Sequence, residues 1–384
     1  MRFDFATSAR ILFAPGAVSE LPAAVRELGG RALLITGRDA SRAAPLVKGL
    51  HAADVHTILF AVEGEPTVDA VRNGAHVARK ERRNVVVGFG GGSAVDAAKA
   101  IAILATNSGE PLDYLEVIGK GQPFENAPLP CLTLPTTAGT GAEVTRNAVL
   151  GSPQHQLKAS LRSPLMLPRA AIIDPTLTLS LPPEITASTG LDALTQLLEP
   201  YVSCRANALT DLFCVEGMKR VKVALERAFT DGADRDARES MSFASLLGGL
   251  ALANAGLGVV HGFAAPLGGM LAAPHGALCA AVLPHAVQVN VNALRHRAAS
   301  NPALAKYAEA ARILTGRMHA EAVDLAPWLT DLVQRLQIAS LSRHGLTPDQ
   351  IPALVEKVAQ ASSTKANPLP LTAEELTQVA ERAL

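Results

Sequence analysis

Short apolar, β-branched runs alternate with Ala-rich amphipathic stretches over roughly the first 180 residues. That alternation predicts βαβ units on a parallel sheet. Strands are expected at 31–36 (RALLIT), 56–62 (HTILFAV), 84–89 (NVVVGF), 131–135 (CLTLP) and 170–174 (AAIID), with amphipathic helices at 18–28 and 68–80. After Pro182-Pro183 strand-like runs nearly vanish, and Ala/Leu-rich helical stretches follow at 186–199, 209–230 and 234–254 and onward to Leu384. Thr186 or Ser188 is the expected N-cap of the first of these helices. The texture thus places an α/β domain at 1–182 and an all-helical domain at 183–384, with no repeat, low-complexity tract or long linker.

Charge narrows the classes of partner. Thirty-five Lys plus Arg balance 35 Asp plus Glu, so the basic excess of a nucleic-acid footprint is missing. A chain that is 48% hydrophobic and 18% charged has ample material for a core and lies far from disordered compositions. No long uncharged apolar window stands out, and the start MRFDFATSAR lacks the cationic and apolar regions of a signal peptide. The expectation is a cytoplasmic protein with no membrane partner. Cys131, Cys204, Cys214 and Cys279 show no CxxC spacing and are expected as free thiols, mostly buried.

Residues 84–99, NVVVGFGGGSAVDAAK, run from an apolar strand through three consecutive glycines into a strong helix former. Glycine permits a tight turn and close approach of backbone to an anion, and a helix start presents free N–H groups to phosphate. Gly90, Gly91, Gly92 and Ser93 are therefore candidate pyrophosphate contacts, with Asp96 one turn on; a purely structural glycine turn stays open, because Ser93 stands where a GxGxxG fingerprint has its last glycine. A second polar cluster, LPTTAGTGAEVT at 134–145, also follows a strand. Ligands of open α/β sheets collect at strand carboxyl ends, so the two loops together favour a dinucleotide. At the end of strand 31–36 stand Gly37 and Arg38, where an acidic residue would bind ribose hydroxyls and repel a 2′-phosphate. The choice tilts toward NADP over NAD, although Asp39 lies next door.

Three of the ten histidines, His261, His275 and His285, fall within 25 residues of an apolar, Gly-rich segment. A buried imidazole there needs a partner, and a divalent metal uses its lone pair. Upstream, Asp192 and Gln196 stand four apart in a helix of leucines and alanines and project from one side. A buried carboxylate requires a cation, while a plain surface Asp/Gln pair is the alternative. His51, His56, His76, His155, His296, His319 and His344 stand alone and are read as surface or cap residues.

Through GGGSAVDAAKA, LPTTAGTGAEVT, DPTLTLSLPPEITASTGLDALTQ, the His261 and His275 region and Asn367-Pro368, the chain resembles the iron-containing (group III) alcohol dehydrogenases of the dehydroquinate synthase-like fold, over essentially its whole length. The resemblance implies a nucleotide-binding α/β domain, a helical metal-binding domain and catalysis in the cleft between them. A homodimer is expected, for which an edge strand from Arg2 to Phe13 offers a pairing edge. It implies pyrophosphate contacts at Gly91, Gly92 and Ser93, further cofactor contacts at Thr136, Thr137, Thr145 and Lys158, and metal ligation with catalysis at Asp192, His261 and His275. Two positions depart from the family pattern. Gln196 stands where the iron enzymes present a fourth ligand, a histidine, and Ala265 stands where many members have a second histidine thought to assist proton transfer. An amide oxygen is a weaker donor than imidazole, so the ion is expected as Fe(II) or Zn(II), with Gln196 a marginal ligand. The implied activity is hydride transfer between NAD(P) and a small alcohol or carbonyl compound in an apolar pocket near Phe263, Leu267, Met270 and Leu271, with His285 a candidate for orienting a ligand. A maleylacetate reductase-like enzyme, a sugar-phosphate lyase and a catalytically inert nucleotide-binding protein are the alternatives weighed.

Overall fold

The computed structural model describes residues 2–155 and 157–384. The chain forms two compact units, Ala6–Thr137 with Gly141–Thr178, and Leu179–Leu384 with residues 2–5 and Ala138–Thr140.

The first unit is built on a six-stranded parallel sheet: β1 (Ile11–Phe13), β2 (Arg31–Thr36), β3 (His56–Ala61), β4 (Val85–Gly90), β5 (Cys131–Pro135) and, after a β6–β7 hairpin (Asn147–Ser152 and Leu157–Arg162), β8 (Ala170–Ile173). The order across the sheet is β1-β8-β5-β4-β2-β3. Strands β2, β4, β5 and β8 read as continuous apolar runs because helices cover both faces of the sheet. Alternate residues divide between two cores. Ala32, Leu34, Val85 and Val87 pack with Leu21 and Val25 of α1 (Leu21–Glu27) and with Leu46 and Leu50 of α2 (Ala44–Ala52). Leu33, Ile35 and Val86 pack with Val71 and Ala75 of α3 (Val68–Lys80) and with Ala97 and Ile101 of α4 (Gly92–Leu104). From β2 the chain moves to one side, and from β4 to the other, so the carboxyl ends of β2 and β4 flank the topological switch point.

The expected strands are all present, with ends shifted by a residue at 56–61, 85–90 and 170–173. The edge strand expected over Arg2–Phe13 is reduced to β1 at its end, and the β6–β7 hairpin, which buries Ala148, Leu150, Ser152, Ala159 and Leu161, adds to the expected strands.

After the short α5 (Pro111–Tyr114), the second unit begins with α6 (Pro183–Val202), α7 (Ala208–Thr230), α8 (Arg235–Ala255), α9 (Val259–Met270) and α10 (His275–Arg297), and ends with α11 (Pro302–Thr315), α12 (Leu325–Arg335), α13 (Ile351–Gln360) and α14 (Ala373–Ala383). The expected cap of α6 is corrected. The helix opens at Pro183, whose ring presets a helical φ, and its cap position is Pro182. Thr186 and Ser188 lie inside the helix, their hydroxyls bonded back to the carbonyls of Pro182 and Ile185. By length and composition α10 passes for a membrane span, which the absence of an uncharged apolar window had not anticipated; 83% of that window is buried within the unit, as befits a core helix.

Candidate active site

On α6, Asp192, Gln196 and Glu199 lie at i, i+4 and i+7, one polar stripe on a helix otherwise buried through leucine and alanine. All three are themselves buried. Two further helices begin against this stripe. α9 starts at Val259, which puts His261 in its first turn, and α10 starts at His275, with Cys279 one turn on.

Glycines make the approach possible. A Cβ on Gly276 would stand 2.5 Å from the Ser188 carbonyl oxygen, so only glycine lets the start of α10 settle on α6 beside Asp192. A Cβ on Gly258 would meet Glu199 Oε1 at 2.8 Å and Asn367 Oδ1 at 3.0 Å. Those two oxygens cap α9: Val259 N–H donates to Asn367 Oδ1 and Val260 N–H to Glu199 Oε1, at 3.2 and 2.6 Å. The other Glu199 oxygen lies 2.6 Å from His261 Nδ1. One carboxylate thus fixes both the helix start and the imidazole, leaving Nε2 aimed at Asp192.

His261 Nε2 is 3.5 Å, and His275 Nε2 3.9 Å, from Asp192 Oδ1. Cys279 Sγ is 3.6 Å from His275 Nε2. One donor atom from each of Asp192, His261, His275 and Cys279 lies within 4.8 Å of the other three. Asp192 Oδ1 and Gln196 Oε1 are buried with no hydrogen-bond partner among the described residues. Buried oxygens without a donor are costly, and a cation is what satisfies several acceptors converging on one point. The donor set fits a divalent metal.

The electrostatics are mutual. Burial pushes the Asp192 carboxyl up, yet contact with His261 and the charge of His275 outweigh it and hold the group below its ordinary value. Burial opposes charging either imidazole, but Cys279 and Asp192 raise His261 well above the ordinary value, and Cys279 foremost raises His275 to about 9. The Cys279 thiol, which burial would raise, is lowered by His275 and His261. Solvent reaches the cluster from the His275 side, whose side chain is 35% exposed against 2% for Asp192.

Three expectations change. His285 lies nearly three turns beyond His275 along α10, and Glu199 is the residue that holds His261. Phe263, Leu267 and Leu271 of the expected pocket wall are buried core residues, and Met270 alone of the four is half-buried. Cys279, read as one more buried thiol, stands with Asp192, His261 and His275 in a group that could hold a metal ion. Glu199 and Cys279 both carried a signal, Glu199 seven residues after Asp192 on the same face and Cys279 four after His275. Ala265, one turn after His261, offers no proton-transfer group.

In the α/β unit, a Cβ on Gly90 would stand 2.7 Å from that of Ala94, so glycine at the end of β4 lets α4 pack close. Gly91 is the N-cap of α4, with extended φ and no side-chain cap, which leaves the N–H groups of Gly92 and Ser93 to an anion. Thr136 N–H donates to the Gly90 carbonyl at 2.8 Å, and the Thr137 side chain lies 3.4 Å from where a Gly91 Cβ would be. Thr36 pairs with Phe89, which brings Gly37 beside Gly90. Arg38 is exposed, and Asp39 is turned onto Ser41, whose hydroxyl and backbone N–H lower its carboxyl. Asp96 and Thr145 meet at the buried Lys99 ammonium, and Lys158 pairs with Glu65.

An uncapped, glycine-cornered helix start at the switch point of a parallel sheet, and a carboxylate–imidazole cluster with orphaned oxygens on a helical unit, are the equipment of a metal-assisted, dinucleotide-linked oxidoreductase. The family models "Iron-containing alcohol dehydrogenase" and "Fe-containing alcohol dehydrogenase family, C-terminal" match residues 8–175 and 186–384, so the chain belongs to the iron-containing alcohol dehydrogenase family. It is 35% identical over 360 residues to the choline dehydrogenase of Bacillus subtilis strain 168, covering 92% of this chain and 88% of that one. A crystal structure of a 1,3-propanediol oxidoreductase superposes with a TM-score of 0.92 at 32% identity, over the whole of both chains. The sulfoacetaldehyde reductase of Bifidobacterium kashiwanohense in complex with NAD+ gives a TM-score of 0.87 at 30% identity, over 99% of this chain and 98% of that one. The fold is that of the family, the activity is that of a metal-dependent, NAD(P)-linked alcohol dehydrogenase, and the substrates are small alcohols or aldehydes.

Proposed function

We propose that Asp192, His261 and His275 hold the divalent cation, Fe(II) or Zn(II), and that hydride passes between a small alcohol or aldehyde and a nicotinamide cofactor bound at the glycine turn. The observation that supports this best is Asp192 Oδ1, a fully buried carboxylate oxygen with no donor and two imidazole nitrogens at 3.5 and 3.9 Å. When bound, the cation supplies Lewis acidity toward the substrate oxygen. The hydride chemistry belongs to the cofactor. Glu199 keeps a proton on His261 Nδ1 and so leaves the Nε2 lone pair free. His275 stands at the solvent-facing side, where substrate enters. With Ala265 in place, a water or a ribose hydroxyl relays the proton.

Gly90, Gly91, Gly92 and Ser93, with Thr136 and Thr137, cradle the pyrophosphate in this reading. Asp96, Thr145 and Lys158 hold that cradle through their own ion pairs and hydrogen bonds. Gly37 and Arg38 face the adenosine ribose, and with Asp39 committed to Ser41 they favour NADP over NAD. The protein works in the cytoplasm as a homodimer, a second copy pairing alongside β1, the terminal strand of the sheet; light scattering at the mass of one chain would remove the dimer.

Asp192→Ala tests the centre of the proposal. Metal content should fall to trace levels and kcat/KM by more than about a hundredfold, beyond what loss of an orienting partner costs. Unchanged metal content and turnover would overturn it, and turnover of maleylacetate without metal would favour the reductase alternative.

A further inference from the structure

Resting on the reading that this cluster holds a divalent cation, we infer that the Cys279 thiolate is a fourth protein ligand, and that the site is an Asp-His-His-Cys centre fitted to Zn(II) rather than Fe(II).

The helices arrange the donors in two facing pairs. Asp192 and Gln196 sit one turn apart on α6, and His275 and Cys279 one turn apart on α10, with His261 arriving from the start of α9. Zn–S bonds of about 2.3 Å and Zn–N or Zn–O bonds of about 2.0–2.1 Å put tetrahedral donors roughly 3.3–3.6 Å apart. The separations here are 3.5 Å for Asp192–His261, 3.9 Å for Asp192–His275 and 3.6 Å for His275–Cys279. Each of the four donors is within 4.8 Å of every other, so a small shift of side chains closes all four on one ion.

Gln196 is the competing fourth ligand, and its chemistry sets it behind Cys279. It is a neutral oxygen donor, whereas a thiol beside a divalent cation gives up its proton and binds as an anion. The other cysteines take no part in the cluster: Cys131 and Cys214 are buried elsewhere and Cys204 is exposed. Thiolate is the soft donor that selects zinc, while a site of carboxylate and imidazole alone accepts Fe(II) readily.

X-ray absorption on the full-length protein reconstituted with Zn(II) tests this directly. The expected spectrum has one sulfur scatterer per zinc at about 2.3 Å beside nitrogen and oxygen at about 2.0–2.1 Å. In Cys279→Ser the sulfur shell should vanish, and the preference for Zn(II) over Fe(II) in a competition dialysis should shrink at least tenfold. The Co(II)-loaded wild type should show a sulfur-to-cobalt charge-transfer band in the near ultraviolet, a readout that needs no variant. Stoichiometric zinc surrounded only by nitrogen and oxygen would overturn the thiolate ligand and leave the metal-dependent reading intact. Failure of the wild type to retain any of the three metals would overturn both.

Discussion

Each unit buries charged side chains, and the two groups are finished to different degrees. In the α/β unit the Lys99 ammonium pairs with Asp96 at 2.9 Å and donates to the Ala142 and Asn147 carbonyls and to Thr145 Oγ1. Asp96 in turn accepts from Val149 N–H. Lys99 and Asp96 are paired inside the protein, and the result ties the 142–149 segment to α4. In the helical unit Glu199 is equally well satisfied, yet Asp192 Oδ1, beside two imidazoles, and Gln196 Oε1 have no hydrogen-bond partner among the described residues. A complete buried ion pair is structural, while a set of acceptors converging without a donor marks where a cation belongs.

That contrast breaks most sharply at Lys99. Lys99→Met strips Asp96 of its buried partner and should cost about 3–5 kcal/mol of unfolding free energy in urea titration, with metal stoichiometry unchanged. Loss of metal at unchanged stability would reverse the roles assigned to the two groups.

Glu143 sharpens it by pH. Burial lifts its carboxyl from 4.5 to about 7, against a smaller pull from Lys99. The folded state therefore keeps a proton that the unfolded chain has released, so the contribution is full below pH 4.5 and is lost as pH rises through about 7. The loss is about 3 kcal/mol. Thermal midpoints of Glu143→Gln should lack this component, and a wild-type-like profile would show that Glu143 does not carry it.

Glu199→Gln addresses the other group. An amide cannot accept from Val260 N–H and hold His261 Nδ1–H as a carboxylate does, and metal affinity in a chelator competition should drop about 10- to 100-fold. An unchanged affinity would mean that His261 is oriented by something else.

The smallest effect is expected at Gly37. Gly37→Asp places a carboxylate at the end of β2 and should shift the NADPH/NADH ratio of kcat/KM about tenfold toward NADH, or about 1.4 kcal/mol. Equal loss with both cofactors would point to a steric effect alone.

Much of this was legible in the sequence, for local reasons. Buried parallel strands announce themselves as apolar runs, and 31–36 and 131–135 coincide with β2 and β5. The glycine turn at 90–92 is a contiguous motif whose backbone chemistry follows from residue type. Asp192 and Gln196 could be put on one helical face by spacing alone. β1 was harder to read because three residues at a sheet edge carry too little pattern, and Thr186 looked like a cap until Pro183 set the helix start upstream.

By itself the sequence determined the two textures, the glycine turn and the residue types available for a metal, because periodicity and glycine chemistry act over a few residues. The motifs already pointed to His261 and His275 beside Asp192, but tertiary structure alone decided that Glu199 rather than His285 holds one of them and that Cys279 joins the cluster. Those facts depend on α9 and α10, far along the chain from α6, approaching it within 4 Å, through glycines at 258 and 276 whose missing side chains matter only once the partners are in place.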